Sequence, residues 1–180
     1  IFLMTGCGNQ TSIPDANDGV LQLDEVQLSE ESVLLEGEWE FYWQQLLQPT
    51  DFHEKPKTNH LITLPHSWNE YIWKGKSLPS DGYATFRLTL NVRDQEVGKR
   101  LALKMPTIFH AYKLWIDDDL LAEVGQVGTS KQSTVPSLAT RLVYFQPSSE
   151  HVELVMQVAN FHHSRGGITK HIELGDSNDL

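Results

Sequence analysis

Asp81-Gly-Tyr-Ala-Thr-Phe-Arg-Leu-Thr-Leu-Asn-Val92 alternates without a slip, and this stretch decides the fold class. Ala84, Phe86, Leu88, Leu90 and Val92 fall on one face, while Tyr83, Thr85, Arg87, Thr89 and Asn91 fall on the other. A side-chain period of two belongs to a strand with one buried face, because successive Cβ atoms point to opposite sides of a sheet. The second face offers a ring, hydroxyls, a guanidinium and an amide, all able to hold a polar ligand. The stretch predicts a sheet with a greasy inner side and an outer side open for binding. Nothing in it suggests a catalyst.

Working outward, Trp39, Phe41 and Trp43 alternate with Glu38, Glu40 and Tyr42, which predicts an opening strand within Val33 to Trp43. Gln44 to Gln48 reads as one helical turn stopped by Pro49, followed by a polar loop from Thr50 to His60. Leu61 to Leu64 is a short strand ended by Pro65, and Ser67 to Ser80 is a long loop carrying Trp68, Tyr71 and Trp73. Downstream, Leu101, Leu103 and Met105 alternate, as do Tyr112, Leu114 and Ile116. Asp117 to Asp119 form a hairpin turn returning through Leu120 to Val124. Gly125 and Gly128 open a loop that runs through Pro136. Arg141 to Phe145, Val152 to Val158 and Ile168 to Leu174 supply the last strands. About eight strands with no extended helical period after residue 50 predict an all-β, antiparallel β-sandwich or jelly roll. In such a sandwich the long loops gather at the ends, where ligands are usually held.

The 180 residues suit one domain plus a tail. A formal charge of −10 and a pI near 5.1 argue against nucleic acid as a partner, because its phosphates would be repelled. Cys7 is the one cysteine, so no intramolecular disulfide can form. Ile1 to Cys7 reads as the end of a lipoprotein-like signal, an apolar run and small residues leading to a cysteine for lipidation. Residues 8–30, rich in Gly, Asn, Gln, Ser and Asp, read as a flexible linker. The alternation of Leu21 and Leu23 adds a short strand near the linker's end. Residues 31–176 form the expected ligand-binding jelly roll, and 177–180 a tail toward a downstream region. No stretch reaches the roughly 20 apolar residues that span a bilayer, so the expected membrane partner is reached through a lipid anchor or a spanning region elsewhere.

The ordered set Gly37-Glu-Trp-Glu-Phe-Tyr-Trp43, Leu64-Pro-His-Ser-Trp68, Gly82-Tyr-Ala-Thr-Phe-Arg87, Ala111-Tyr-Lys-Leu-Trp-Ile116, Gly125 and Gln157-Val-Ala-Asn-Phe161 followed by Gly166-Gly167 carries a resemblance. It resembles the second type of extracellular domain of bacterial seven-transmembrane receptors with diverse intracellular signalling modules. More distantly it resembles the sugar-binding jelly roll of family 2 glycoside hydrolases. The likeness covers residues 33 to about 175. It implies a galactose-binding-like jelly roll outside the cytoplasmic membrane that senses a small ligand or carbohydrate, and a periplasmic, membrane-associated location.

Candidate chemistry concentrates in two places. Asn160-Phe-His-His-Ser-Arg-Gly-Gly167 is the densest polar cluster, and Asn160, His162, His163 and Arg165 there could orient hydroxyls or a carboxylate. Tyr83, Arg87 and Lys113 belong to the outward phase of their strands, and Trp68 sits in a loop from which it could stack on a sugar. Arg87 could instead ion-pair across the sheet with Glu153. Trp39 reads as core and Trp115 as outward. Adjacent His162 and His163 point opposite ways on an extended chain, and no zinc-ligand spacing occurs, so no metal or cofactor is expected. Asp117 to Asp119 fit a hairpin better than a calcium loop. No nucleophile motif or paired carboxylates stand in a catalytic setting, so an enzyme is not expected. The expected partner is a sugar or organic acid, with a homodimer or a purely structural interaction module, or a carbohydrate-binding accessory domain, as the alternatives.

Overall fold

The computed structural model describes residues 14–54 and 60–180. In chain order the strands are β1 (Val20–Leu23), β2 (Val33–Leu34), β3 (Gly37–Trp43), β4 (His60–Leu64), β5 (Ile72–Trp73), β6 (Lys76–Ser77) and β7 (Gly82–Val92). They continue as β8 (Leu101–Met105), β9 (Ala111–Ile116), β10 (Asp119–Val124), β11 (Arg141–Phe145), β12 (His151–Asn160) and β13 (Glu173–Asp176). One short helix, α1 (Pro49–Glu54), and two 3₁₀ turns complete the described elements. Among the described residues no helix is long and apolar enough to cross a membrane.

Two sheets face each other. The larger runs β10-β9-β12-β7-β3-β4 and the smaller β11-β8-β13-β2. Phe86, Leu88 and Leu90 are fully buried, as the alternation of β7 requires. They meet Trp39, Phe41, Leu154 and Met156 of their own sheet and Leu101, Leu103 and Leu174 of the other in one continuous core. Such an all-β sandwich buries the inner face of each strand and leaves the other face to be dealt with separately. The pairing is antiparallel with one exception. β3 accompanies β7 only over Ala84 to Arg87, and β1 then takes the same edge in parallel, Val20 opposite Thr89 through Leu23 opposite Val92.

That exception corrects the expected linker over its described part. Leu21, Leu23, Val26 and Leu28 are buried core residues, and Ala16 is stitched to the start of β3 through backbone bonds to Glu36 and Glu38, each 2.8 Å. Gly37 makes this possible: its φ of +101° and missing side chain admit the Ala16 backbone, which a Cβ would overlap. The short strand expected at Leu21 and Leu23 is present as β1. Cys7 and the expected signal lie outside the described residues.

The stretch after β3 also differs from expectation. Pro49 starts α1 instead of stopping a helix at Gln48, because a fixed φ and a missing N–H suit a first helical turn. The Asp51 carboxylate accepts the Gln48 N–H at 2.8 Å and secures that start. Gln44, at φ +55°, turns the chain back over the outer face of the large sheet. The last strand begins at Glu173, later than expected, since Ile168 and Ile172 are buried in an irregular segment before it.

Candidate ligand site

The outer face of the large sheet is not an open binding surface near its middle. Residues 44–54 lie across it as a strap. The Thr85 hydroxyl accepts the Leu47 N–H at 2.9 Å and donates to the Gln45 carbonyl at 2.8 Å, while Gln157 donates to the Leu47 carbonyl at 3.0 Å. Thr85 is fully buried, and Gln157 keeps 5% of its surface. The polar side chains of this face thus satisfy backbone groups of the strap, as buried polar groups must.

Arg87 stands in the same layer with its hydrogen-bonding capacity engaged. Its Nε donates to Glu153 at 2.8 Å, Nη2 reaches the same carboxylate, Nη1 donates to Glu40 at 3.1 Å, and the Phe52 ring of α1 lies 4.7 Å from its guanidinium carbon. Glu40 also accepts from the Tyr42 hydroxyl at 2.7 Å, and burial with this anion pushes the Tyr42 phenol well above its usual range. The cross-sheet pairing of Arg87 with Glu153, foreseen from phase, is realised and extended to a second carboxylate. Tyr83 is half-buried on this face, and Lys113 pairs with Glu123 of β10 at 3.4 Å. None of these three residues lines the depression formed at the loop cluster. Trp115 has the outward phase expected of it but is buried at 7% exposure.

Trp68 is a core residue and cannot stack on a dissolved sugar. It is fully buried, donates from Nε1 to the carbonyls of Pro79 and Ser80 at 3.0 and 3.2 Å, and meets the Trp43 ring edge-on at 5.2 Å. Its function is to plug the sandwich end beneath the 160–167 loop.

That loop is fixed from below by Asn160, which is fully buried at the end of β12. Its Nδ2 donates to the carbonyls of Ser80 and His163 at 2.9 and 2.7 Å, and its Oδ1 accepts the N–H groups of His162 and His163 at 3.3 and 3.0 Å. All four polar links go to backbone, so Asn160 shapes the loop and offers little to a ligand. The facing chain ties the other side: Asn69 accepts the Gly166 N–H at 2.9 Å and donates to the Ser164 carbonyl at 2.8 Å.

On this fixed loop His162 and His163 border a depression of about 360 Å³ together with Phe109, Pro136, Ser137 and Leu138. Three segments meet there: the approach to β9, the return of the long loop to β11, and the loop after β12. Phe109 and Leu138 are 46% and 62% exposed, an uncommon display of apolar surface at a concave spot. The His163 ring stacks face to face on Phe109, with centroids 5.0 Å apart and planes 6° from parallel, so the two rings brace each other beside the depression. His162 reaches the Thr134 carbonyl through Nε2 at 3.2 Å, which joins the two loops across the depression. Arg165 lies close by in sequence but pairs with Glu70 at 3.2 Å, with both groups exposed.

Behind His163, at 5.9 Å, is His110, which is 2% exposed and has no hydrogen-bond partner for Nδ1 among the described residues. Burial pushes its pKa down to about 4, with the neighbouring His163 lowering it further. Of the expected site residues, then, the structure brings His162 and His163 to one concavity, uses Asn160 to hold them, and directs Arg165 elsewhere. Phe109 and Leu138 escaped the sequence reading. Their signal was an aromatic and an aliphatic residue in loops, out of phase with any strand.

No protein-family model matches the chain, and no curated protein matches it in sequence. Solved structures do match in fold. A GH2 β-galacturonidase from Eisenbergiella tayi bound to galacturonate superposes with a TM-score of 0.55 at 13% identity, covering 83% of this chain and 25% of that one. A β-glucuronidase from an uncultured Clostridium sp. gives a TM-score of 0.60 at 13% identity over 80% of this chain and 28% of the other. A Faecalibacterium prausnitzii β-glucuronidase gives 0.58 at 13% identity over 80% and 31%. The likeness is one of fold. It confirms the antiparallel sandwich, in keeping with the expected likeness to the jelly roll of family 2 glycoside hydrolases, and the chain spans only a quarter to a third of the length of these enzymes.

Proposed function

We propose that this domain is an extracytoplasmic sensor module of a bacterial membrane receptor, and that it takes a small polar ligand, a sugar or an organic acid, in the depression between Phe109, Leu138, His162 and His163. The observation that carries the reading is the combination of exposed apolar side chains, Phe109 and Leu138, with imidazoles held on a loop fixed by buried Asn160. An exposed apolar lining suits the apolar face of a ring, while fixed polar groups give orientation at small entropic cost. The receptor assignment and the extracytoplasmic location follow the family resemblance, the lipid anchor at Cys7 follows the signal-like segment Ile1 to Cys7, and the reading assigns binding without catalysis.

Heat-stability shifts of the purified domain across sugars and organic acids, galacturonate among them, test the binding. Silence across the whole panel at millimolar concentration would remove it. The likeness of fold to β-glucuronidases supports a second reading, a carbohydrate-binding accessory module of an enzyme. The coding sequence on either side separates the two: apolar spans favour the receptor, and a catalytic barrel favours the accessory module. Metabolic labelling of the full chain with a fatty-acid analogue, with Cys7→Ser as the control, checks the anchor.

A further inference from the structure

The depression stands out electrostatically in an acidic protein. The chain holds 24 Asp and Glu, yet residues 97–116, 124–149 and 154–172, which contain every residue lining it, hold none. Other depressions on the surface are different. One is lined by Asp24, Asp94 and Glu150, and another by Glu38 and Glu70. The lining here presents imidazoles, and Lys170, beyond the lining itself, has its Nζ 6.0 Å from the centre of the Phe109 ring. His163 Nδ1 lies 3.1 Å from the Arg165 carbonyl and 3.2 Å from the Arg165 N–H, so the backbone engages that nitrogen and Nε2 has no partner among the described residues.

We infer that the depression selects a ligand bearing a carboxylate over its neutral counterpart, and that Lys170, not Arg165, is the residue that makes the selection. This rests on the ligand-binding reading above. The apolar part of the ligand lies against Phe109 and Leu138, while its carboxylate faces the Lys170 ammonium beside the unpartnered Nε2 of His163. Arg165 would be the obvious carboxylate partner from sequence, but its Nη2 donates to Glu70 at 3.2 Å, which draws the guanidinium toward that acid. Lys170 has no carboxylate partner among the described residues. A charge-assisted hydrogen bond at a partly solvated rim is worth about tenfold in affinity, and salt weakens it.

The experiment uses pairs of equal shape and different charge: galacturonate against galactose, and benzoate against benzamide. Each is titrated into the protein at millimolar concentration while the imidazole proton signals of His162 and His163 are followed by NMR. The acid should bind about tenfold more tightly than its partner, with the gap closing as salt is raised. Lys170→Gln should bring the acid down to the neutral level, whereas Arg165→Gln should leave the gap intact. Lys170 and Arg165 are both exposed, so unchanged melting temperatures should accompany both variants. Equal binding of acid and neutral partner, or a gap erased by Arg165→Gln and not by Lys170→Gln, overturns the inference and leaves the ligand-binding reading standing. Failure of every member to move the imidazole signals overturns both.

Discussion

Gly166 is pressed against the indole of Trp68, so that a β-carbon at this position would overlap the ring. The indole cannot retreat, because Nε1 is held by the carbonyls of Pro79 and Ser80 and the ring is wedged against Trp43. Gly166→Ala should therefore destabilise the domain by about 2 kcal/mol or more through overpacking. Gly98→Ala serves as the contrast. Its φ of +80° opens onto empty space, so only backbone strain of about 1 kcal/mol is expected. Urea unfolding of both variants checks the order, and equal losses would contradict the steric account.

Asn160 controls the shape of the candidate site without facing it. Asn160→Ala removes four polar links to the loop backbone and should cost about 2–3 kcal/mol. Hydrogen exchange of the amides at His162 and His163 should rise well beyond the change at β9, and any ligand affinity should fall with it. Unchanged protection at those two amides would show that the loop holds itself.

The strap over the large sheet makes its own prediction. Thr85→Val keeps shape but deletes the acceptor for the Leu47 N–H and the donor to the Gln45 carbonyl. Removing both bonds from a buried site should cost about 1–3 kcal/mol. The loss should appear locally, as faster proteolysis within residues 44–54, while β7 and β12 keep their protection. Uniform loosening of the whole sheet would mean the strap is part of the main cooperative unit.

Arg87→Met should leave Glu40 and Glu153 facing each other across β7 with no cation between them. All three groups are mostly shielded, so the cost should be about 1–3 kcal/mol, less than for a fully buried pair. Adding Glu153→Gln to Arg87→Met should recover part of that loss. A double variant no better than the single one would locate the cost in lost packing on Phe52.

His110 links stability to acidity. Its folded-state pKa is pushed down to about 4, chiefly by burial, against an ordinary value of 6.5. Between these two values the unfolded chain takes up a proton that the folded chain refuses. Stability from this group is therefore complete above pH 6.5, declines as the pH falls toward 4, and is fully lost below that, a change of about 3 kcal/mol. Urea midpoints measured across this window should drop more steeply for the native chain than for His110→Gln. Parallel slopes would exclude His110 as the source.

The alternation of Ala84 to Val92 was enough to determine the fold class, because a period of two permits one kind of element and a greasy face demands a second layer. The hairpin at Asp117 to Asp119 and the core position of Trp39 were legible for the same local reasons. Phase also said which residues face outward, and Arg87 does meet Glu153. What phase could not say is what lies above that outward face. Only the tertiary structure decided that residues 44–54 fold back over Thr85 and Gln157, that Leu21 to Leu28 enter the core, and that Trp68 sits beneath the 160–167 loop instead of in a binding groove. These are contacts between segments distant in the chain, formed where Gln44 and Gly37 take positive φ, and neither turn leaves a periodic trace. The candidate site follows the same division. His162 and His163 were visible as a polar cluster, but the wall of Phe109 and Leu138 exists only because three loops arrive at one end of the sandwich.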